Sequence, residues 1–203
     1  MASKVKSAFR NAFNDRCLKL FVAAYINSLQ DKSIFLNWDE NDITAQLHEY
    51  IDSNQSRLNW SIISNVEHHL PKKSIGKKKG FAAKYSRIDL RFVTIKSRQE
   101  YQYFFEAKNL KQRSSTLKRR YIDTGIDNFN SKKYQNGCLI GYLLDGDVEL
   151  TIEGINSLLC KDQRAKELLC KKDCKLHSSY YESTHSNLQC LKHYIFDFTA
   201  LLN

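Results

Sequence analysis

The spacing of apolar residues in the first third of the chain predicts two helices followed by a strand. Apolar side chains recur three and four positions apart within residues 4–30, which predicts one helix or two consecutive helical pieces. A second helix is predicted to begin at Asn41 or Asp42, either of which can cap its first turn, and to continue to about Ile51. A strand is expected over residues 59–66, although its apolar pattern is imperfect.

Short apolar runs dominate the rest of the chain and predict most of the sheet. Residues 85–95 and 100–108 are expected to form a strand pair, and 138–144 a buried strand. Two further helices are predicted, within 117–134 and over 148–172, and two last strands near 178–184 and 190–198. This order of elements predicts an α/β sandwich with a mixed central β-sheet flanked by helices.

Length and composition are those of one folded domain. The 203 residues include one proline and seven glycines, so no flexible linker is evident. The chain begins without an apolar secretory segment, and its most apolar early stretch is too short to span a membrane. We therefore expect a cytoplasmic protein without a membrane partner, whose six cysteines are reduced thiols.

Basic residues outnumber acidic ones and cluster in two runs. The formal charge of +10 favours a polyanionic partner, nucleic acid above all, although a merely solubilising surface charge is the alternative. One run includes Lys77 and Lys78, in a loop predicted over residues 72–83. The other run follows the strand predicted over 100–108 and contains Lys111, Arg113, Lys118, Arg119 and Arg120.

Two neighbouring predicted strands carry the residues that change this picture most. Because alternate side chains of a strand share a face, Glu106 and Lys108 are expected to point the same way, with Phe105 and Ala107 in the opposite layer. Asp89 lies on the polar face of the preceding strand. If the two strands pair, Asp89 converges with Glu106 and Lys108.

Asp89 also shares its polar face with Arg87 and Arg91, while Ile88, Leu90 and Phe92 are expected to face the core. We count Arg87, with the two basic runs, among the expected nucleic-acid contacts.

Two carboxylates beside a lysine suit metal-dependent hydrolysis of phosphodiesters. Mg²⁺ or Mn²⁺ takes oxygen ligands, here Asp89, Glu106 and the backbone carbonyl of Ala107. Such an ion polarises a phosphoryl oxygen and lowers the pKa of a bound water, and Lys108 can orient that water or stabilise developing negative charge. Glu-x-Lys by itself is common on solvated strands, so the weight comes from Asp89 and from the flanking basic runs.

Arg87-Ile88-Asp89 followed by Phe105-Glu106-Ala107-Lys108 resembles the PD-(D/E)xK nuclease superfamily, which has the restriction-endonuclease-like fold. The resemblance implies that Asp89 and Glu106 are metal ligands and that Lys108 is the catalytic lysine. It covers a core of about 40–145, with a helical N-terminal extension at 1–38 and a C-terminal helix and strands at 146–203. The proline that names the motif is absent, since Ile88 precedes Asp89.

A further acid often completes such sites, and three residues are candidates. Glu67 is the first, and Glu49 and Glu40, on or near the second helix, follow. Each has an alternative interpretation as an ordinary surface acid.

The C-terminal third holds weaker signals. Cys174 and His177, and Cys190 and His193, are spaced like zinc ligands, but Cys190 and His193 should face opposite sides of a strand, which favours ordinary buried thiols. His185, in a predicted loop, could approach a scissile phosphate or simply lie on the surface.

The expected function is divalent-metal-dependent hydrolysis of phosphodiester bonds in nucleic acid, with DNA favoured. Members of the superfamily serve in restriction, phage defence and DNA repair, so the resemblance leaves the pathway open. The alternative is a subunit of the same fold that binds nucleic acid without cutting it, or that acts only with a partner in a defence complex. Cleavage of both strands would suggest a homodimer.

Overall fold

A computed structural model of the chain describes residues 2–70, 86–131, 133–134, 136–187 and 190–202. The basic loop predicted over 72–83, including Lys77 and Lys78, lies outside these residues. Within the described part of the chain, no helix is both long and apolar enough to cross a membrane.

Six α-helices and seven strands make up most of the described chain. The helices are α1 Ala2–Gln30, α2 Glu40–Ser53, α3 Gln55–Asn59, α4 Ser115–Arg120, α5 Asp127–Asn130 and α6 Val148–Lys161, and a π-helical turn, Tyr121–Ile126, joins α4 to α5. Short 3₁₀ helices occur at Ala165–Glu167 and Thr199–Leu202. The strands are β1 Ile63–Leu70, β2 Ser86–Lys96, β3 Gln99–Lys111, β4 Gly137–Asp145, β5 Cys170–Lys171, β6 Tyr180–Ser183 and β7 Leu191–Asp197.

The seven strands form one mixed sheet in the order β1-β2-β3-β4-β7-β6-β5. The three central strands β3, β4 and β7 are parallel to one another, and every other neighbouring pair in the sheet is antiparallel. The predicted α/β architecture with a mixed central sheet is therefore confirmed.

Helices cover both faces of this sheet. Residues of α1 and α2 pack on one face, where the ring of Phe21 meets that of Phe105 edge-on at 4.8 Å. The π-turn, α5 and α6 pack on the other face. Gly125 allows the π-turn to approach β4 closely, since a Cβ there would lie 2.9 Å from Leu139 Cδ2.

Several predicted boundaries are wrong, for local reasons. The helix expected over 148–172 ends at Lys161, and Gln163 just beyond it has a left-handed backbone with φ 58°. The strand expected from residue 59 begins only at Ile63, because α3 occupies 55–59. The cap of α2 is Asp39, whose carboxylate accepts the backbone N–H groups of Asn41 and Asp42.

The strand pair β2–β3 is confirmed. It turns at Ser97-Arg98, where both residues have positive φ, as a two-residue hairpin of matching twist requires.

Candidate active site

The strands β2 and β3 separate at Asp89. The last hydrogen-bonded pair before the separation is Leu90 with Phe105. One residue further along, the Asp89 carboxylate takes the place of a strand partner, and its Oδ2 accepts the backbone N–H of Ala107 at 2.7 Å. The separation therefore holds a carboxylate against the strand that carries Glu106 and Lys108.

The structure brings together the three side chains that the strand pattern singled out. Glu106 and Lys108 are 5% and 7% exposed, and Phe105 and Ala107 lie in the opposite layer, as expected. Lys108 Nζ donates to Glu106 Oε1 at 2.9 Å and to the Ala107 carbonyl at 2.7 Å. It also lies 3.9 Å from Asp89 Oδ2. We call Asp89, Glu106 and Lys108 the charged cluster.

The same separation divides the apolar residues of β2. Ile88, Leu90 and Phe92 are all fully buried, as predicted. Leu90 and Phe92 pack with α1 and α2, whereas Ile88 packs in the layer on the opposite face. The departure from simple alternation falls at Asp89, which is where β2 leaves β3.

Tyr134 is a member of the site that the sequence pattern did not indicate. Its hydroxyl donates to Glu106 Oε2 at 2.8 Å, so that both oxygens of Glu106 accept hydrogen bonds. Burial, followed by the charge of Glu106, raises the pKa of Tyr134, which keeps the phenol protonated as a donor. Its sequence separation of 28 from Glu106 explains why no local signal pointed to it.

The charged cluster carries an excess of negative charge. Burial is the main cause that raises the pKa of Asp89 to about 6, and repulsion by Glu106 is the second. Lys108 and the Ala107 N–H oppose this rise, while Glu40 adds a small contribution in the same direction as Glu106. Among the described side chains, one lysine lies beside these two buried carboxylates, an arrangement that would favour an added cation.

Of the two candidates for a further acid whose side chains are described, Glu40 is the one whose charge acts on Asp89. It is the first residue of α2, its side chain is 13% exposed, and its Oε1 accepts a hydrogen bond from Arg120 at 3.0 Å. Glu49 accepts an exposed hydrogen bond from Gln46 instead. Glu67 lies on β1, but its side chain is not among those described.

A pocket leads to Asp89 from the first turns of α2. Its volume is about 240 Å³. It is lined by Asn41, Asp42, Thr44, Ala45, Val66 and Asp89. The Asp89 side chain is 19% exposed, so a small ion or a phosphate oxygen can approach it from this side.

The oxygen atoms at this site suit a hard divalent cation in type but are few in number. Asp89, Glu106 and the carbonyl of Ala107 supply oxygen ligands, and Mg²⁺ needs only one or two carboxylates because it retains waters. Among the described residues, no group of three or more His, Cys, Asp or Glu side chains lies in a metal-binding arrangement. The Ala107 carbonyl already accepts a hydrogen bond from Lys108, so a coordinated ion would share this oxygen with Lys108 or displace it.

The second basic run is largely engaged within the protein. Arg119 bonds to Asp162, Arg120 pairs with Glu40, and Lys118 Nζ donates to the carbonyl of Gln112 at 2.8 Å. Lys111 is partly buried at the end of β3, and Arg113 beyond it is exposed. For Arg87 only the backbone is described, in β2.

A second buried polar group lies on the same sheet, in the C-terminal third. Ser183 Oγ is 2.6 Å from His185 Nε2 and 2.7 Å from His193 Nε2. His185 Nδ1 is 2.7 Å from Glu167 Oε2, and His193 Nδ1 is 2.9 Å from the hydroxyl of Tyr121. We call these five residues the histidine chain.

The direction of every hydrogen bond in the histidine chain follows from its acid end. The Glu167 carboxylate can only accept, so His185 Nδ1–H donates to it and His185 Nε2 accepts from the Ser183 hydroxyl. Ser183 Oγ then accepts from His193 Nε2–H, and His193 Nδ1 accepts from the Tyr121 hydroxyl.

The histidine chain also bears on the weaker sequence signals. His185 is 5% exposed and bonded at both ring nitrogens, so it does not face a substrate in this structure. His193 is fully buried and engaged in the same way, whereas Cys190 is exposed, so the two do not form a ligand pair. His177 bonds the carbonyl of Ile195.

Comparisons with models of known protein families, with curated proteins and with solved structures find no significant match to this chain.

Proposed function

We propose that this protein is a divalent-metal-dependent nuclease of the PD-(D/E)xK type, hydrolysing phosphodiester bonds in nucleic acid, with DNA as the favoured substrate. The observation that carries the proposal is the charged cluster. Asp89, Glu106 and Lys108 come from two strands that separate at Asp89, and among the described side chains the two buried carboxylates share one lysine. Buried, undercompensated carboxylates beside a pocket are typical of sites that bind a cation.

Each residue of the charged cluster has a distinct part in the proposed reaction. Asp89, Glu106 and the carbonyl of Ala107 would hold a Mg²⁺ or Mn²⁺ ion. When bound, that ion supplies Lewis-acid polarisation of the phosphoryl group and a more acidic water. Lys108 donates hydrogen bonds toward the attacking water or a non-bridging oxygen, and Tyr134 holds Glu106 in its orientation.

Fold and charge support the same proposal less specifically. A mixed sheet with helices on both faces is compatible with the restriction-endonuclease-like sandwich. The formal charge of +10 suits a polyanionic substrate. Restriction, phage defence and DNA repair in the cytoplasm are the settings in which such an enzyme would act, and a second copy of the chain would allow both strands to be cut.

One observation favours the alternative, a non-catalytic or partner-dependent subunit of the same fold. Lys108 bonds both Glu106 and the Ala107 carbonyl, so it occupies the position where an ion would use these oxygens. A partner or a bound substrate that draws Lys108 away would then favour cation binding.

Purified protein incubated with plasmid, linear duplex and single-stranded DNA, and with RNA, tests the proposal. Each substrate is combined with Mg²⁺, Mn²⁺ or EDTA. We expect cleavage of DNA with either ion and none with EDTA. Cleavage that persists in Glu106→Ala protein would exclude this site, because the activity would then come from elsewhere. Salt-sensitive binding without cleavage under any condition would favour the alternative.

A further inference from the structure

The ion pair between Glu40 and Arg120 joins elements that pack on opposite faces of the sheet. Arg120 Nη2 lies 3.0 Å from Glu40 Oε1. Glu40 is the first residue of α2, which packs with α1 on one face. Arg120 is the last residue of α4 and directly precedes the π-turn, which packs on the other face. The two helical layers are therefore in direct contact at this ion pair.

The start of α2 lies beside the charged cluster. Asn109, the residue after Lys108 on β3, donates from its Nδ2 to the carbonyl of Trp38 at 3.0 Å, two residues before Glu40. The first turn of α2 also lines the pocket of about 240 Å³ that Asp89 lines. Burial is the main cause of the raised pKa of Asp89, and the charge of Glu40 is among the smaller causes. A small movement of the Glu40 side chain is therefore enough to change the charge around Asp89.

The two partners of this ion pair differ in exposure. The side chain of Arg120 is 50% exposed, whereas that of Glu40 is 13% exposed. Because an ion pair with an exposed partner adds little to stability, Arg120 can leave Glu40 at small cost. Glu40 stays mostly buried when this happens, and a mostly buried carboxylate without its partner favours another cation nearby. Arg120 is thus the partner that moves, and Glu40 is the partner that needs a replacement.

We propose that Arg120 exchanges Glu40 for a backbone phosphate of the nucleic acid when the charged cluster holds a cation, so that Glu40 becomes the further acid of that cluster. A guanidinium group binds phosphate through two parallel hydrogen bonds, which replace the bond to Glu40. The freed carboxylate adds an oxygen ligand where Asp89 and Glu106 supply few. The inference rests on the proposed function for the cation and the substrate.

The exchange couples the two ligands of the site. Phosphate draws Arg120 away from Glu40, and a cation stabilises Glu40 once Arg120 has left. Each ligand therefore strengthens the binding of the other, and by linkage the coupling is equal in both directions. Without a cation, Arg120 should remain on Glu40 and contribute little to DNA binding.

The salt dependence of DNA binding by the full chain tests whether Glu40 holds Arg120 away from phosphate. The dissociation constant of a fluorescein-labelled duplex is measured by anisotropy across a KCl series, with EDTA present. For Glu40→Ala we expect tighter binding than for the wild type, and a slope of log K against log[KCl] that is steeper by about 0.9, since one phosphate contact is gained. In Glu40→Ala/Arg120→Gln the slope should return to that of the wild type. Glu49→Ala removes the same charge from an exposed position on α2 and should keep the wild-type slope.

Magnesium binding without nucleic acid tests the other half of the exchange. MgCl₂ is titrated into the protein by isothermal calorimetry. In Arg120→Gln the carboxylate of Glu40 is released without DNA, and we expect the dissociation constant for Mg²⁺ to fall about tenfold. Arg119→Gln is the matched control, because it removes the same charge from a neighbouring arginine that bonds Asp162, and it should change this constant much less. Thermal melting verifies that each variant is folded.

The outcomes separate the exchange from the proposed function. Equal slopes for Glu40→Ala and Glu49→Ala would overturn the exchange, and so would a steeper slope that persists when Arg120 is also replaced. In either case, cleavage of DNA by the wild type with Mg²⁺ leaves the nuclease proposal standing. Equal Mg²⁺ affinities of Arg120→Gln and Arg119→Gln would also overturn the exchange, and this measurement decides alone if Glu40→Ala does not fold. Wild-type protein that binds neither DNA nor Mg²⁺ would overturn both.

Discussion

The charged cluster and the histidine chain are two buried polar groups on one sheet, and they differ in how their charges are balanced. In the histidine chain every donor meets one acceptor, and burial, the main cause, lowers the pKa of His193 to about 3, so that the ring stays neutral. In the charged cluster, burial and then repulsion by Glu106 raise the pKa of Asp89 to about 6, although Lys108 opposes the rise. Within the described residues, every polar group of the histidine chain has a hydrogen-bond partner, whereas the charged cluster pairs two carboxylates with one lysine.

The charged cluster is also more accessible to solvent than the histidine chain. Ser183, His185 and Glu167 follow the order of a serine–histidine–acid triad, yet Ser183 is 2% exposed and bonded by two imidazoles. Asp89 instead lines a pocket of about 240 Å³. Asp89 is therefore accessible to a small ligand from this pocket, whereas Ser183 is buried between two imidazoles.

The largest combined loss of cleavage and stability is expected when the lysine of the charged cluster is removed. Lys108→Met leaves Asp89 and Glu106 without the ammonium that both approach. We expect cleavage to fall by about 10²–10³-fold, since a donor to developing charge is lost. We expect the free energy of unfolding to fall by about 3 kcal/mol, since a buried charge loses its partner.

Stopped cleavage assays and urea denaturation at pH 8 measure these two effects. Lys96→Met, at the exposed end of β2, is the matched control and should change neither quantity. Unaltered stability of Lys108→Met would mean that Lys108 does not compensate the carboxylates, and the contrast between the two clusters would lose its electrostatic basis.

Substitutions in the histidine chain should lower the stability of the protein without changing cleavage. His193→Ala removes the partner of both the Tyr121 hydroxyl and Ser183 Oγ and leaves a cavity in a fully buried position. We expect a loss of about 3 kcal/mol in the free energy of unfolding, measured with urea, and unchanged cleavage per folded molecule.

His48→Ala is the control for this variant. His48 is half-buried and has a hydrogen bond to Ser64, so we expect it to cost about 1 kcal/mol. A His193→Ala protein that keeps wild-type stability but loses cleavage would place the histidine chain in the catalytic machinery.

Asp89→Asn should make the protein more stable while it abolishes cleavage. The substitution removes one of two repelling carboxylates, and the amide oxygen can still accept the Ala107 N–H. We expect a gain of about 1–2 kcal/mol in the free energy of unfolding at pH 8 without added metal.

The pH dependence of this gain follows from the sign of the shift. The pKa of Asp89 in the folded protein, about 6, is above its ordinary value of 3.8, so the wild type gains stability as the pH falls through 6. The variant does not, and the difference should close between pH 7 and pH 4. Asp123→Asn, at an exposed position, should show no such trend. A pH-independent difference would argue against a raised pKa.

The smallest expected effect is on the rate of cleavage, and it distinguishes Glu40 from Glu49 as the further acid. Glu40→Gln keeps an acceptor for Arg120 but removes a charge that acts on Asp89. We expect kcat/KM for cleavage to fall about tenfold, as for other groups that orient or tune metal ligands. Glu49→Gln is the control and should have no effect, because Glu49 bonds an exposed side chain away from the site. Equal effects of the two variants would mean that Glu40 has no specific influence on the charged cluster.

Much of the sheet could be predicted from local pattern. The apolar runs of β2, β3 and β4 are long enough to predict those strands to within about three residues at each end. The prediction failed for β5, a two-residue strand that exists only through its pairing with β6. It also failed at Gln163, which has a left-handed backbone although it is not a glycine, so the sequence carried no signal for the end of the helix.

Part of the candidate site could likewise be predicted from local pattern, and part could not. Period-two alternation is enough to put Glu106 and Lys108 on one face, and the distance between two predicted strands is enough to bring Asp89 to them. The separation of β2 from β3, the hydrogen bond from Tyr134 and the pairing of Arg120 with Glu40 could not be predicted, because each depends on contacts between distant segments.

From the sequence one could read that Glu106 and Lys108 share a strand face and that Asp89 lies on the strand before them. Which charges are compensated depends on the folded chain. It pairs Arg119 and Arg120 within the protein and buries Asp89 beside Glu106. The physical reason is that the free energy of a charge depends on burial and on neighbours from the whole fold, which no local pattern specifies.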